Sequence, residues 1–213
     1  LNVYNERLLS LLAETQIPKV FLDTSSLVAP DELNGDLLLM ESRTSVRRIT
    51  SHLLEHGRTL PGFIGDIGYA QSNRERYEGF CQALTDAGKK VDSSLCLTTP
   101  LGIDTYREEI DTFLSSLSRM PDAFVCASDY VACILMQLLE KRGLRVPEDV
   151  AVSGFDNNTE DLLAEHLTTV QVFNEELGAR LALQILYRIK YPNTPHEVTY
   201  LGTNVLYRDS TGD

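Results

Sequence analysis

Three groups of hydrogen-bonding side chains stand where an apolar run gives way to a helical pattern. The first follows Gly62-Phe63-Ile64-Gly65 and spans Asp66 to Arg76, with Ser72, Arg74 and Arg76 at the start of the next helical stretch. Cations are disfavoured near a helix N-terminus, where the dipole is positive. Two arginines there therefore suggest a second task. A guanidinium offers a rigid fork of donors for adjacent hydroxyls or a carboxylate. The alternative is surface ion pairing with Glu75 or Glu78, and Ser72 or Asn73 can cap the helix. The second group is Ser128-Asp129, after the run 123–127. It suits either a helix cap or a ligand acceptor, and the two roles are compatible. The third is Asp156-Asn157-Asn158, after 150–155. It can accept from and donate to vicinal hydroxyls, or simply form a turn.

Other chemistry finds less support. Gly62, Gly65 and Gly68 do not make a dinucleotide fingerprint, and neither a phosphate-binding Walker loop nor a nucleophile elbow occurs. With no nucleophile–base arrangement and no cofactor loop, the reading is of a protein that is not an enzyme and carries no cofactor. His52 and His56 have the i, i+4 spacing of metal ligands, but no third ligand accompanies them, so no metal is expected. Cys81, Cys96, Cys126 and Cys133 form no C-x-x-C pair and lie in apolar stretches, as reduced core thiols do.

The elements that must position these groups alternate along the chain. Helical patterns cover 5–14, 43–56, 73–87, 104–117, 130–142 and 174–190. Apolar strand candidates cover 19–22, 62–65, 95–97, 123–127 and 150–155, with a last extended segment at 199–207. Strands that are apolar throughout, alternating with helices, imply a parallel sheet covered on both faces. Pro61 should mark a strand's first residue or an edge. In such α/β sheets ligands bind beyond the carboxyl ends of the strands, where all three polar groups stand.

The 213 residues carry a net charge of −12. A surface this acidic repels phosphate backbones, so this segment is not expected to bind nucleic acid by itself. No apolar run approaches the roughly 20 residues needed to cross a bilayer, and the N-terminus lacks the pattern of a signal peptide. With no initiating Met, the sequence reads as a fragment.

Several segments resemble the effector-binding domain of LacI/GalR-type transcriptional regulators. Residues 121–129 (PDAFVCASD) are similar to that family's PDAxxxAND segment, and 142–156 (RGLRVPEDVAVSGFD) to its RGLRVPEDVSVVGFDD. Leu167-Thr168-Thr169-Val170 with Glu176-Leu177-Gly178, the NRERYEGF of 73–80 and the ending Arg208-Asp209-Ser210-Thr211-Gly212 resemble further family segments, in family order.

The resemblance implies a type I periplasmic-binding-protein-like fold: α/β, two Rossmann-like lobes with parallel sheets and a ligand cleft between them. One lobe would be 58–170 plus 201–213. The other, 1–57 plus 171–200, would be incomplete, lacking two strands and the helix between them, and would expose apolar sheet. The resemblance also implies a small-molecule effector such as a sugar, a homodimer, and contact with operator DNA only through a headpiece absent here, all in the cytoplasm and away from membranes. Carried over by position, Arg76 falls on the effector-contacting arginine, Ser128 and Asp129 on an Asn-Asp pair, and Asp156 on a cleft aspartate. Ser72 falls in a contact loop, and Asn157 stands where a second Asp is common. With no Trp in the chain, Tyr69, Tyr130 or Phe173 would supply any stacking face. The alternative of the same fold is a secreted sugar-binding component of a transporter.

Overall fold

The computed structural model describes residues 2–102, 104–158 and 165–212. Helix α1 (Glu6–Ala13) starts at Asn5, whose side chain accepts from the Leu8 N–H, and leads into β1 (Val20–Leu22). Strand β2 (Asp36–Met40) and helix α2 (Arg43–Glu55) follow. Next come β3 (Pro61–Ile64), α3 (Gln71–Asp86), β4 (Cys96–Leu97), α4 (Tyr106–Ser116), β5 (Ala123–Cys126), α5 (Asp129–Lys141) and β6 (Ala151–Ser153). The chain finishes with β7 (Thr169–Gln171), α6 (Asn174–Lys190), β8 (Val198–Leu201) and β9 (Asn204–Leu206).

These strands form two parallel sheets and a ribbon. One sheet has the order β1-β2-β8, the other β4-β3-β5-β6, and β7 pairs antiparallel with β9. Single bridges from Ser153 to Thr168 and from Asp156 to Gln171 join the ribbon to the second sheet. Pro61 opens β3 opposite Ala123, at a position where a missing N–H does least damage to the ladder.

Alternation along each strand divides the core. Leu37 and Leu39 of β2 pack with Leu9 of α1, Phe21 and Leu33, while Leu38 faces Val46, Ile49 and Leu53 of α2. In the second sheet Phe63 and Val125 turn toward α2 and α3, and Ile64, Phe124 and Cys126 toward α4 and α5. Helices α2 and α3 touch at Gly79, where a Cβ would run into the Arg43 backbone carbonyl. Between β2 and α6, Asp36 and Arg188, both buried, form an ion pair, and Gln184 of α6 donates to the same carboxylate at 2.8 Å.

The first sheet ends at β1, which pairs with β2 alone among the described strands. Beside it an apolar groove of about 540 Å³ runs between α1 and α6, lined by Leu12, Ile17, Pro18, Val20, Leu181 and Ile185. On the same two helices Leu8, Leu11, Leu183, Leu186 and Ile189 are exposed. None of the four cysteines is in a disulfide. Burial pushes Cys96 up to about 12 and Cys126 well above the ordinary thiol value.

The helices match the expected ranges to within a few residues, with one effect on capping. Because α3 begins at Gln71, neither Ser72 nor Asn73 is its cap, and Arg76 lies in the second turn rather than the first. Strand β2 was not expected from the sequence.

Candidate functional site

The polar strand ends converge. A pocket of about 270 Å³ is lined by Asp66, Ser72 and Arg76 from the β3–α3 connection and α3, by Ser128 after β5, and by Asp156 after β6. Tyr4, Asp23 and Met40, from the part of the chain that carries the first sheet, form the opposite wall.

Arg76 is the structural centre of this pocket. It is only 4% exposed. Its guanidinium lies 3.6 Å from the centroid of the Phe155 ring, donates from Nη1 to the Ala127 carbonyl, and brings Nη2 to 3.5 Å from Asp156 Oδ1. The surface pairing with Glu75 or Glu78 considered from the sequence is not formed: Glu78 pairs with Arg43, and Glu75 accepts from Gln71 and the Tyr200 hydroxyl. Arg74 instead reaches Ser26 at 3.4 Å.

Asp156 sits on a left-handed backbone with φ of 109°. That conformation is uncommon outside glycine and recurs at ligand clamps. Surrounding protein raises its carboxyl above the ordinary range, while Arg76 draws it back. The carboxylate still reaches the pocket, since 44% of the side chain is exposed.

Asp23, at the end of β1, also has a left-handed backbone, with φ of 59°. Its carboxylate accepts from the Ser72 N–H at 3.3 Å and from Ser72 Oγ at 2.6 Å. A residue beside the first sheet thus caps the helix of the second. The strand-end rule that marks the other three groups applies equally to Asp23, which sequence reasoning missed. Tyr4, tilted against Tyr69 at 4.5 Å between centroids, gave no local signal. Burial, with Asp23 nearby, pushes its hydroxyl up to about 12.

Three expected site residues do not line the pocket. Ser128, rather than Asp129, is the cap of α5, its side chain accepting from Val131 N–H at 3.3 Å. Asp129 is buried behind the wall and accepts from Thr169 Oγ1 at 2.6 Å and from the Asn158 N–H at 2.7 Å. Burial raises its pKa to about 6 against those hydrogen bonds. Asn157 turns to the ribbon, donating to Gln171 at 2.5 Å and accepting from Arg208 at 2.9 Å. Tyr130 is exposed and meets Tyr106, a pocket residue, edge to face at 5.7 Å. Of the other two aromatic residues considered for stacking, Tyr69 lines the pocket and Phe173 does not. The His52 ring lies against those of His56 and Tyr207 in tilted contacts, and no cluster of metal-ligating side chains occurs among the described residues.

Comparison with known proteins gives this arrangement a family. Residues 50–211 match the model of the periplasmic binding protein-like domain. The chain belongs to that family. The form of the periplasmic binding protein-like domain it carries is that of LacI-type transcriptional regulators. It is 27% identical to the HTH-type transcriptional repressor PurR of Pasteurella multocida, over 97% of this chain and 61% of the repressor. It is 31% identical to the HTH-type transcriptional regulator DegA of Bacillus subtilis, over 79% of this chain and 48% of that protein. The solved complex of the transcriptional regulator CelR with cellobiose superposes with a TM-score of 0.75 at 27% identity, over 90% of this chain and 58% of CelR. The chain thus spans about half to three fifths of the length of these relatives. They are regulators of transcription rather than enzymes. Among the described residues no helix is long and apolar enough to cross a membrane.

Proposed function

We propose that this chain is the effector-sensing part of a LacI-type repressor, and that the pocket around Arg76 holds a sugar. The observation that carries this reading is the convergence of Arg76, Asp156, Ser72 and Ser128 in one pocket to which both sheets contribute. Arg76 Nη2 and the Asp156 carboxylate stand side by side as donor and acceptor, a pairing suited to neighbouring hydroxyls. Tyr69 and Tyr106 offer aromatic faces for a sugar ring. CelR, a relative of the same fold, is solved with cellobiose.

In this reading one lobe comprises 58–170 plus 201–213 and the other 1–57 plus 171–200. Asp129 and Asn157 support the wall from behind, and Tyr130 holds Tyr106. Effector binds one relative arrangement of the lobes more tightly and so shifts the population toward it. The whole protein acts as a cytoplasmic homodimer and meets operator DNA through a headpiece. The acidic charge of this segment fits a part that does not itself grip DNA.

A thermal-shift screen against sugars, sugar phosphates and purines tests the proposal, because a ligand that binds only the folded state raises its stability. A rise with a sugar is the expected result. A rise confined to purines would replace the sugar reading, and no rise with any compound would overturn the effector role of the pocket.

A further inference from the structure

We infer that the pocket admits uncharged sugars and rejects their phosphorylated forms. The inference rests on the effector reading above and adds to it a rule of charge. Among the described residues lining the pocket, Asp23, Asp66 and Asp156 bring three carboxylates against the single guanidinium of Arg76, and no lysine is present. Asp129 adds a fourth carboxyl immediately behind the wall.

The one cation in the lining already faces a carboxylate. Arg76 donates to the Ala127 carbonyl, lies over the Phe155 ring and stands 3.5 Å from Asp156. Nη2 remains a donor for a neutral hydroxyl, but the Asp156 carboxylate beside it opposes the approach of a phosphate dianion.

Backbone donors, the other common means of holding phosphate, are met in part by the chain itself. Helix N-termini and turns with convergent N–H groups are natural anion sites. At the start of α3, the Asp23 carboxylate accepts from Ser72. In the turn after β3, Asp66 Oδ1 accepts from the Gly68 N–H at 2.8 Å and the Tyr69 N–H at 3.1 Å. At the start of α5, the Val131 N–H goes to Ser128 Oγ, and Asp129 places its own charge at the first helical position. At each of these three places a carboxylate or a hydroxyl of the chain itself already meets a backbone donor. A phosphate dianion would face like charge at close range, whereas hydroxyls can donate to these same carboxylates.

The test measures binding to the full chain by calorimetry, using glucose, galactose, fructose and ribose, each beside its own phosphate monoester. The expected result is that at least one free sugar binds and its ester binds about tenfold more weakly or worse. An ester that binds as well as its free sugar overturns the charge rule but leaves the effector site standing. Failure of every sugar and every ester overturns the sugar reading and the charge rule together. Asp66→Asn and Asp156→Asn keep the side-chain shape and remove charge. Either should narrow the gap between free sugar and ester, and an unchanged ratio in both would show that charge is not the cause.

Discussion

The guanidinium carbon of Arg76 stands 3.6 Å above the ring centroid of Phe155, and both side chains are buried. This stack joins the site to the core. Phe155 packs with Phe63, Phe80 and Val125 under α3, so the orientation of Arg76 is inherited from core packing. A desolvated cation over an aromatic face contributes about 2 kcal/mol.

Arg76 therefore cannot be removed without cost to the fold. Arg76→Ala should abolish effector binding and also lower stability by about 2–4 kcal/mol, since the Ala127 carbonyl and Asp156 lose their partner. Arg76→Lys keeps the charge but not the planar stack. It should stay folded and bind the effector at least about tenfold more weakly. Calorimetry with the best ligand from the screen decides, and wild-type affinity in the Lys variant would sink the guanidinium's role.

Asp23 links the end of β1 to the start of α3. Asp23→Ala leaves the Ser72 N–H and hydroxyl without their acceptor, and should cost about 1–2 kcal/mol in urea unfolding. Asp23→Asn, which keeps one acceptor oxygen, should cost less. Equal losses in the two variants would mean that the hydrogen bonds are not the source.

Asp129 gives a pH dependence of definite sign. Its folded pKa, about 6, lies above the ordinary value of 3.8. Between those values the folded protein holds a proton that the unfolded chain has released. The group's contribution to stability is therefore full below about pH 4 and is lost as pH rises through about 6. Relative to Asp129→Asn, the wild-type protein should lose roughly 2–3 kcal/mol of stability across that interval. Parallel stability curves for the two proteins would count against a raised pKa.

Gly79 sets the distance between α2 and α3. Gly79→Ala must push the helices apart, because the added methyl meets the Arg43 backbone rather than a side chain that can swing away. A loss of about 1–3 kcal/mol is expected. Helix α3 also carries Ser72 and Arg76, so effector affinity should fall as well. A variant with unchanged melting temperature would show that the helices have room to spare.

Much of the helical framework was legible because local signals agreed. Helix α6 spans the expected 174–190, and Gly143, with φ of 73°, ends α5 as a left-handed stop should. Strand β2 was not legible. Its run Leu37-Leu38-Leu39-Met40 has neither strand alternation nor helical period, and its first residue, Asp36, is an acid that looks exposed. Only Arg188, distant in sequence, explains why that acid can be buried. The site followed the same pattern. Strand ends identified Ser72, Arg76, Ser128 and Asp156 as neighbours. Nothing local could tell that Asn157 and Asp129 turn toward the ribbon, or that Tyr4 crosses to meet Tyr69.

The placement of the thiols bears on how the pocket could be watched. Cys126 and Cys133 are buried, and the half-buried Cys81 and Cys96 are held in the protonated form by their surroundings. Thiols that rarely ionise react slowly with maleimides. A cysteine introduced at an exposed site, such as Leu27→Cys on the loop after β1, would take up a fluorophore ahead of the native four. Opening and closing around a ligand could then be followed optically, with the natural cysteines left in place.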